Sequence, residues 1–448
     1  MRLHKESMQD ETQRKRQQWS DIFVQSSAAW TLLLVMAHQG IVAASSLFLT
    51  RTIETFQIGG AYRPYLLLYV VTMLVPYLPG CVSQVTLQQW INQAHRRFAS
   101  RLASTAYGRV DKYHDSALRE TVESVLSRNS FLAIKDYLTF IHAFMGFALN
   151  SALSMLVLSA LLPGHLAGGY LASLALSLVL ILILRRTIRR HSAKAENDFI
   201  RYSESLHRGW DNSTLGNRYN FEFWQLRCER DATQYYRQSN HLQWLKQGGN
   251  LLLAMIALLP TVYLMLAAIA GADPAPALVA AIIVNLTRVF HILGSLSALV
   301  YQMLDLSAMN ARLRVLFDAE RSLWKRSPFP DCPSGSITMN GAQVTDYRSA
   351  ATTVCACDRG RFTVCGDNGA GKSTLLSTLK QRLGDDAILI PAQHGKLEWQ
   401  HPGASCPRGK GPWRRWRKLL RRPLPATCYL TNGTRISIAA IGRPSANC

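Results

Sequence analysis

Long runs of apolar residues dominate the chain up to about residue 304. A helix that crosses a lipid bilayer needs about 20 mostly apolar residues, and six stretches of the chain meet that length. They occupy residues 29–50, 65–85, 137–163, 165–184, 248–272 and 277–304. The pattern therefore predicts an all-α membrane domain with six transmembrane helices.

The basic residues between these stretches predict which side of the membrane each connection faces. Lys and Arg accumulate before the first stretch, between the second and third, and between the fourth and fifth. The other three connections contain little beyond Arg51 and Arg63. Because cytoplasmic loops carry the excess of Lys and Arg, we expect both termini and both long loops in the cytoplasm. The helical patterning of the two long loops predicts that they extend the transmembrane helices.

The net charge bears on the choice of partner. The chain has 50 Lys and Arg against 28 Asp and Glu, which gives a formal net charge of +22. Such an excess is also found in proteins that bind nucleic acid, and the cluster Arg414–Arg422 is the segment that would do so here. Because basic residues flanking apolar stretches are typical of membrane proteins, we expect a lipid bilayer and no nucleic acid as partner. The nine cysteines form no Cys-x-x-Cys pair, which favours free thiols over metal ligands.

A phosphate-binding motif follows the apolar part of the chain. The segment Gly366-Asp-Asn-Gly-Ala-Gly-Lys-Ser373 fits GxxxxGK[ST], in which glycines let backbone N–H groups point at phosphate oxygens. Residues 361–365 predict a strand before the loop and residues 374–382 a helix after it, whose N-terminus attracts the same anion. Lys372 would reach the β- and γ-phosphates and Ser373 would bind Mg²⁺. The residues predicted to bind nucleotide are Gly366, Asp367, Asn368, Gly369, Ala370, Gly371, Lys372, Ser373 and Thr374.

Six spans, two long cytoplasmic loops and a C-terminal phosphate loop resemble the ABC transporter family, of the exporter type. The resemblance extends to about Gln400, and GDNGAGKST is similar to the loop of half-transporters associated with peptide or siderophore export. In that family a glutamine after the next strand senses Mg²⁺, and Gln393 holds that position; a solvated loop residue is the alternative. The family also stacks an aromatic residue on adenine, for which Tyr347 is the nearest candidate.

The resemblance implies ATP-driven export of a small molecule or peptide, with ATP and Mg²⁺ as cofactors. The location implied is the cytoplasmic (inner) membrane, and the partner is a second half-transporter, identical or different. A signature like LSGGQ, an apolar strand ending in Asp-Glu and a switch histidine are missing from the chain. We therefore expect nucleotide binding without transport-coupled hydrolysis. The alternative is a degenerate, non-hydrolysing membrane relative without transport activity.

Composition divides the chain into four parts. The prolines at 328, 330 and 333 interrupt an amphipathic helix predicted for residues 305–321, so a domain boundary is expected near Ser334. The four parts are a cytoplasmic N-terminal segment (1–28), the six-span domain (29–321), a partial P-loop α/β domain that binds ATP (334–400) and a basic tail (401–448).

The basic tail contains no Asp or Glu and is rich in Arg, Pro, Gly and Cys, as a GC-rich gene gives in a wrong reading frame. Residues 405–410 permit codons whose shifted frame reads LSTGE. Residues 426–438 permit DLLLDEWDANLD in the same frame, so the signature and the strand ending in Asp-Glu, two of the three missing elements, recur in the expected order. We therefore predict that the tail is the ATPase domain read out of frame, poorly ordered and without selected function. The alternative is a genuine tail that binds acidic lipid headgroups through Arg414–Arg422.

Polar residues inside the apolar stretches are candidates for the substrate path. A charge in the middle of a span is costly and usually faces a cavity or a partner. Contact with an anionic or polar substrate is one interpretation of Arg288, and a bond to Asn150 or to backbone carbonyls is the other. For His38 and Gln39 in the first stretch we favour hydrogen bonds between helices. The path candidates are Arg288, Asn285 and His291.

Aromatic residues mark the far ends of the two long loops. In the second loop, Tyr219–Trp224 predicts either a coupling helix that docks into a groove on the nucleotide-binding domain or a local core between the extended helices. The position of this segment at the far end of the loop favours the coupling helix over the local core. Tyr113 and His114 mark the equivalent place in the first loop.

Overall fold

The structure, a computed structural model, describes most of the chain. The described residues are 2–126, 130–161, 164–269, 294–295, 298, 302, 306, 309–325, 327–357, 360–390, 427–432 and 435–440. Their contacts divide the chain into two units: residues 1–100 with 125–318, and residues 101–124 with 319–448.

Helices dominate the described chain, and strands occur only in the second unit's part of it. The helices are α1 (Arg2–Phe23), α2 (Ser26–Gln57), α3 (Arg63–Leu74), α4 (Tyr77–Ala106), α5 (Ser116–Ser124), α6 (Ser130–Leu161), α7 (Gly164–His207), α8 (Gly209–Thr214), α9 (Arg218–Ile269), α10 (309–322), α11 (Tyr347–Cys355) and α12 (Lys372–Leu383). The strands are β1 (Ile337–Met339), β2 (Ala342–Gln343), β3 (Gly360–Gly366), β4 (Ala387–Ile390), β5 (Thr427–Asn432) and β6 (Arg435–Ala440).

Three helical segments of the described chain are long and apolar enough to cross a membrane. They are Ser26–Gln57, Arg63–Ala106 and Ser130–Ser154, and they contain all or most of the first three predicted spans. Their apolar side chains are largely exposed: α3 has no buried residue, and Leu67 and Leu74 are 65% and 66% exposed. Exposed apolar surface on this scale indicates a helix that faces lipid or another helix. The fourth and fifth predicted spans fall in α7 and α9, and most of the sixth lies outside the described residues.

The N-terminal helix α1 is part of the first unit's core. Trp19 lies edge-on against Phe317 with ring centroids 5.1 Å apart, and Phe23 lies edge-on against Trp90 at 6.5 Å. The buried Trp90 indole donates to the carbonyl of Ile22 at 2.7 Å. The segment before the first span is therefore packed against the helical bundle.

The second unit contains a six-stranded sheet in the order β2-β1-β3-β6-β5-β4. Strands β4 and β5 pair in parallel, and every other pairing is antiparallel. Helices α11 and α12 supply most of the buried apolar side chains that pack on the sheet, since apolar residues recur along each helix at helical spacing. The core consists of Ile337, Val344, Tyr347, Ala350, Ala351, Val354, Phe362, Val364, Ala370, Leu375, Leu376, Leu379 and Ala387.

Two segments of the basic tail form strands in this sheet. Strand β6 pairs with β3 from Gly360↔Ala440 to Cys365↔Arg435, and β5 pairs with β4 from Ala387↔Thr427 to Ile390↔Leu430. Strand β3 also pairs with β1 on its other side, so β6 satisfies the backbone groups on the second side of β3 and β5 those on one side of β4. The rest of the tail lies outside the described residues.

The middle of the first long loop, residues 101–124, belongs to the second unit. Arg101 makes a forked ion pair with the buried Glu320, with N–O distances of 2.9 and 3.3 Å. Further along, Asp111 accepts from the backbone N–H of Ser327 at 2.9 Å, and Lys112 donates to the Ser327 hydroxyl at 2.7 Å. Charged side chains thus fix this loop to the segment that precedes the sheet.

Candidate phosphate-binding site

The glycine-rich loop lies between strand β3 and helix α12, as the sequence predicts. In β3, Phe362 and Val364 are buried on one face, which follows the two-residue period of a strand. In α12, Leu375, Leu376 and Leu379 are buried at helical spacing. These two apolar patterns hold the ends of the loop in the core and leave its middle at the N-terminus of α12.

Two glycines are required by the backbone of the loop. Gly369 and Gly371 have φ values of 83° and 102°, in the left-handed region that disfavours side chains. At Gly371 an added Cβ atom would also overlap the hydroxyl of Tyr347. Because Gly371 is the residue before α12, its conformation sets how the loop enters the helix. The loop is additionally tied to the chain before β1, since Ser334 donates to the Gly369 carbonyl at 2.8 Å.

Lys372 is the charged group of the loop. Its side chain is buried at 6% exposure, and its ammonium donates to the carbonyls of Gly366 and Asp367 at 2.7 and 2.6 Å. The two carbonyl groups are neutral acceptors for the ammonium of Lys372. An anion would form stronger, charge-assisted hydrogen bonds with the ammonium. Ser373 is exposed in the first turn of α12, where its hydroxyl is accessible to solvent.

Tyr347 occupies a different place from the one that adenine stacking requires. It is 1% exposed within the core of the second unit, and its hydroxyl donates to the Gly371 carbonyl at 3.0 Å. Burial raises the pKa of this phenol, so it stays protonated and remains a donor. Because the core covers both faces of the ring, Tyr347 cannot stack on a base; it packs beneath the loop and bonds its backbone. Tyr347 is the first residue of α11 and lies under the loop instead of beside it.

Four predicted site residues lie outside the described residues: Gln393, Arg288, Asn285 and His291. Asn150, considered above as a partner for Arg288, donates to the hydroxyl of Ser295 at 2.7 Å. The structure therefore brings together the loop residues 366–374, with Tyr347 beneath them.

A groove between the first loop and the α12–β4 connection is the main feature near the site that the sequence did not predict. Its volume is about 790 Å³. Tyr107 donates to Asp385 at 2.7 Å across it, and His114 contacts the buried hydroxyl of Ser377 at 3.3 Å. The sequence marked Tyr113 and His114 at the far end of the first loop, and His114 makes the contact with Ser377. Tyr107 and Asp385 are single residues in polar segments, so no sequence pattern predicted their hydrogen bond. The charged and aromatic lining residues are Tyr107, Arg109, Asp111, Tyr113, Lys380 and Asp385.

The arrangement can bind an anion by three means: backbone N–H groups of the loop, the N-terminus of α12 and the ammonium of Lys372. A scan against models of known protein families finds no match to this chain, and a search of curated proteins finds none. The assignment of a ligand therefore depends on the residues and their geometry.

Proposed function

We propose that this chain is one half of a dimeric ABC exporter that binds ATP with Mg²⁺. In this proposal six helices anchor it in the cytoplasmic membrane, both termini are cytoplasmic, and the cargo is a small molecule or peptide. The observation that carries the proposal is the glycine loop between β3 and α12 with the buried Lys372 folded across it. The three apolar helices that could cross a membrane support the link between nucleotide binding and transport.

The loop residues fit a nucleotide triphosphate. Backbone N–H groups between Gly366 and Gly371 would surround the phosphates, and Lys372 would exchange its two carbonyl acceptors for phosphate oxygens. The exposed hydroxyl of Ser373 would bind Mg²⁺, which neutralises the phosphate charge when it is bound. Since Tyr347 is buried, recognition of the base would fall to residues other than Tyr347.

The second half-transporter is supported by exposed aromatic residues at the tip of the second loop. Tyr219 and Phe223 are 74% and 65% exposed, whereas Trp224 is fixed locally by a bond from its indole to the Ser205 carbonyl at 2.7 Å. Both interpretations of this segment therefore have support: Trp224 belongs to a local core, and its neighbours remain available for docking. Large exposed aromatic residues are typical anchors of protein interfaces.

One observation favours the alternative, a non-hydrolysing relative. Hydrolysis needs a carboxylate that polarises water beside the phosphate loop. Strand β3 pairs with β1 (Ile-Thr-Met) and with β6 (Arg-Ile-Ser-Ile-Ala-Ala), and neither sequence has an acid. Strand β5 has none either. Removal of one preorganised electrostatic element costs on the order of 10²–10³ in rate. In this alternative, nucleotide binds to the chain without turnover.

Nucleotide binding tests the proposal directly. The full chain, purified in detergent, is titrated with a fluorescent ATP analogue with and without Mg²⁺. We expect Lys372→Ala to weaken binding at least tenfold and Ser373→Ala to abolish the benefit of Mg²⁺. Lys325→Ala, which changes an exposed lysine far from the loop in sequence, is the control and should bind as the parent does. Equal binding by the parent and Lys372→Ala would exclude the site.

Turnover and topology distinguish the two candidate functions and test the membrane assignment. Vanadate-sensitive ATP hydrolysis that Lys372→Ala abolishes would exclude the non-hydrolysing relative. For topology, single cysteines replace the exposed Arg51 and the exposed Arg119, both at surface ion pairs. In sealed cells an impermeant thiol reagent should label position 51 and leave position 119 unlabelled; the reverse would contradict the orientation.

A further inference from the structure

One face of α7 changes from apolar to basic over about four turns of the helix. Its first part consists of Leu and Ile or Val side chains that are between 48% and 66% exposed, and its second part consists of exposed arginines. Spacings of three, four and seven residues place all of these side chains on one face of a helix. We call this face the α7 stripe; its members are Leu176, Val179, Leu182, Ile183, Arg186, Arg189 and Arg190.

The opposite face of α7 packs on α9. Leu180 is 8% exposed and forms a buried cluster with Leu253 of α9. One turn further, the side chain of Leu184 lies 3.0 Å from the position that a Cβ atom on Gly249 would take. Ile188, another turn on, is 1% exposed. Because these three α7 residues are four apart, they form the face that α9 covers, and the α7 stripe is directed away from α9.

The basic end of the α7 stripe has no acid beside it on the two helices of this hairpin. Helix α7 contains no Asp or Glu between Gly164 and Ala195, and α9 contains none after Asp231. In the first loop, by contrast, arginines are paired within the chain, as Arg101 is with the buried Glu320. The positive charge of the stripe is therefore available to an anion from outside the hairpin.

The length of the α7 stripe matches one leaflet of a bilayer. From Leu176 to Arg190 the helix rises about 21 Å, at about 1.5 Å per residue. Half of a bilayer with its headgroups is roughly 20–22 Å thick. In a membrane the apolar part of the stripe would therefore lie beside acyl chains while its arginines lie at the depth of the phosphates.

We propose that the α7 stripe binds an anionic phospholipid of the cytoplasmic leaflet. The acyl chains lie on the Leu, Ile and Val side chains, and the headgroup phosphate lies on Arg186, Arg189 and Arg190. Guanidinium groups bind phosphate oxygens in a forked geometry, and basic clusters directly cytoplasmic of an apolar helix attract anionic lipid. Orientation in the membrane requires only that positive charge lies on this side. It does not require exposed arginines that continue an exposed apolar face.

This inference rests on the membrane part of the proposed function, in which α7 crosses the bilayer and Arg190 is cytoplasmic. It does not depend on nucleotide binding, because the phosphate loop belongs to the other unit. Lys372→Ala should therefore bind lipid as the parent does, whether or not the parent binds ATP.

Two triple variants remove equal charge from the two ends of the hairpin. The stripe variant replaces its three arginines with Gln. The control variant replaces three exposed arginines near the tip, which make only surface ion pairs, with Gln: Arg218, Arg227 and Arg230. A third variant replaces the stripe arginines with Lys, which keeps their charge and removes the forked geometry. Helical circular dichroism of all three should equal that of the parent, since every substituted side chain is exposed.

The measurement is native mass spectrometry of the full chain in maltoside detergent, with bound lipid counted per chain. The chain is titrated with phosphatidylglycerol and with phosphatidylcholine of the same acyl chains. We expect the parent and the control variant to prefer phosphatidylglycerol by roughly tenfold or more, because each basic residue near an anionic surface contributes about fivefold. The Gln stripe variant should lose this preference and keep the parent's affinity for phosphatidylcholine. The Lys stripe variant should lie between the two.

Three results would overturn the inference: equal affinity of the parent for both lipids, equal losses in the stripe and control variants, or displacement of phosphatidylglycerol by an equal concentration of glycerol phosphate. The last would show that a soluble phosphate suffices. Thiol labelling at positions 51 and 119 tests the membrane assignment separately. Reversed labelling would refute the proposed orientation and with it the leaflet named here, whereas the expected labelling without lipid preference would refute this inference alone.

Discussion

The two long loops resemble each other in sequence and differ in structure. Both are basic, helical and marked by aromatic residues at their far ends. The first loop, 101–124, is built into the second unit by ion pairs and hydrogen bonds such as Arg101–Glu320 and His114–Ser377. In the tip of the second loop, 209–224, Trp210, Tyr219 and Phe223 are exposed, whereas the indole of Trp224 donates to the carbonyl of Ser205 in its own unit.

The difference shows that position in a loop does not determine whether a segment docks within its own chain. In the first loop the contacts are made by charged side chains, Arg109, Asp111 and Lys112, which meet polar partners in residues 325–327. In the second loop the exposed side chains are apolar rings, which gain most from burial against another protein surface. The four experiments below are designed to sharpen or to break this contrast.

The largest effect is expected for the ion pair that fixes the first loop. Arg101→Ala would remove the forked partner of Glu320, which is 2% exposed. Removing one partner of a buried ion pair costs about 3–5 kcal/mol. We expect a matching loss in denaturant unfolding of the full chain in mixed micelles. Arg119→Ala, which breaks an exposed pair with Glu123 in the same loop, should change unfolding very little. Similar losses for both variants would mean that this loop is not fixed by its buried pair.

The second experiment compares Trp224, which is bonded within its own unit, with the exposed Phe223 in the tip of the second loop. Trp224→Ala removes the bond to Ser205 and the contact with Gly209, and should lower the free energy of unfolding by about 2 kcal/mol, below the 3–5 kcal/mol of a fully buried tryptophan. Phe223→Ala should leave unfolding unchanged because the ring is 65% exposed. If the ring docks on a partner, the same variant should reduce the dimer fraction in cross-linking. Destabilisation by Phe223→Ala would assign that ring to the local core.

The sequence predicted the parts of the fold that depend on repeated patterns. The three apolar helices follow from the length of apolar runs, and the strand–loop–helix around Lys372 follows from glycine spacing; both are local properties. It could not predict that Tyr347 lies beneath the loop, because ring burial depends on how α11 packs. Nor could it predict the strands β5 and β6, whose pairing with β3 and β4 joins residues distant in the chain. The contact of Tyr107 with Asp385 is of the same kind.

The third experiment measures how firmly the end of the first loop is held. His114 reaches the hydroxyl of Ser377, which is 1% exposed on α12. His114→Ala leaves that hydroxyl without this partner and should cost about 1 kcal/mol. A double-mutant cycle with Ser377→Ala isolates the pair, and a coupling energy of roughly 0.5 kcal/mol or more is expected for residues in contact. Strictly additive effects would remove this contact from the description of the first loop.

The smallest effect concerns one tyrosine near each loop at alkaline pH. A bond to Asp385 raises the pKa of Tyr107 in the first loop, and a bond to Tyr236 raises the pKa of Tyr202 in the second to about 12. A raised pKa in the folded chain favours the neutral phenol. The stability it contributes is complete below the ordinary value of 10.0 and is lost as pH rises through the folded value. Both loops should therefore loosen only above about pH 10, and the second should do so last.

Ultraviolet titration of tyrosinate in the full chain tests this order. Tyr236→Phe should move one tyrosine from late ionisation towards the ordinary range, because the phenol that bonds Tyr202 is gone. Asp385→Asn should do the same for Tyr107, since it removes the negative charge that opposes ionisation. Asp385→Asn should shift one ionising tyrosine per chain. Tyr236→Phe should remove one tyrosine and shift a second, Tyr202, and that shift should start from the higher pH. If Tyr236→Phe leaves the ionisation of Tyr202 unchanged, the hydrogen bond between Tyr202 and Tyr236 does not join α7 to α9 in the second loop. The contrast between the loops would then rest on the first loop's ion pair and on the exposed rings alone.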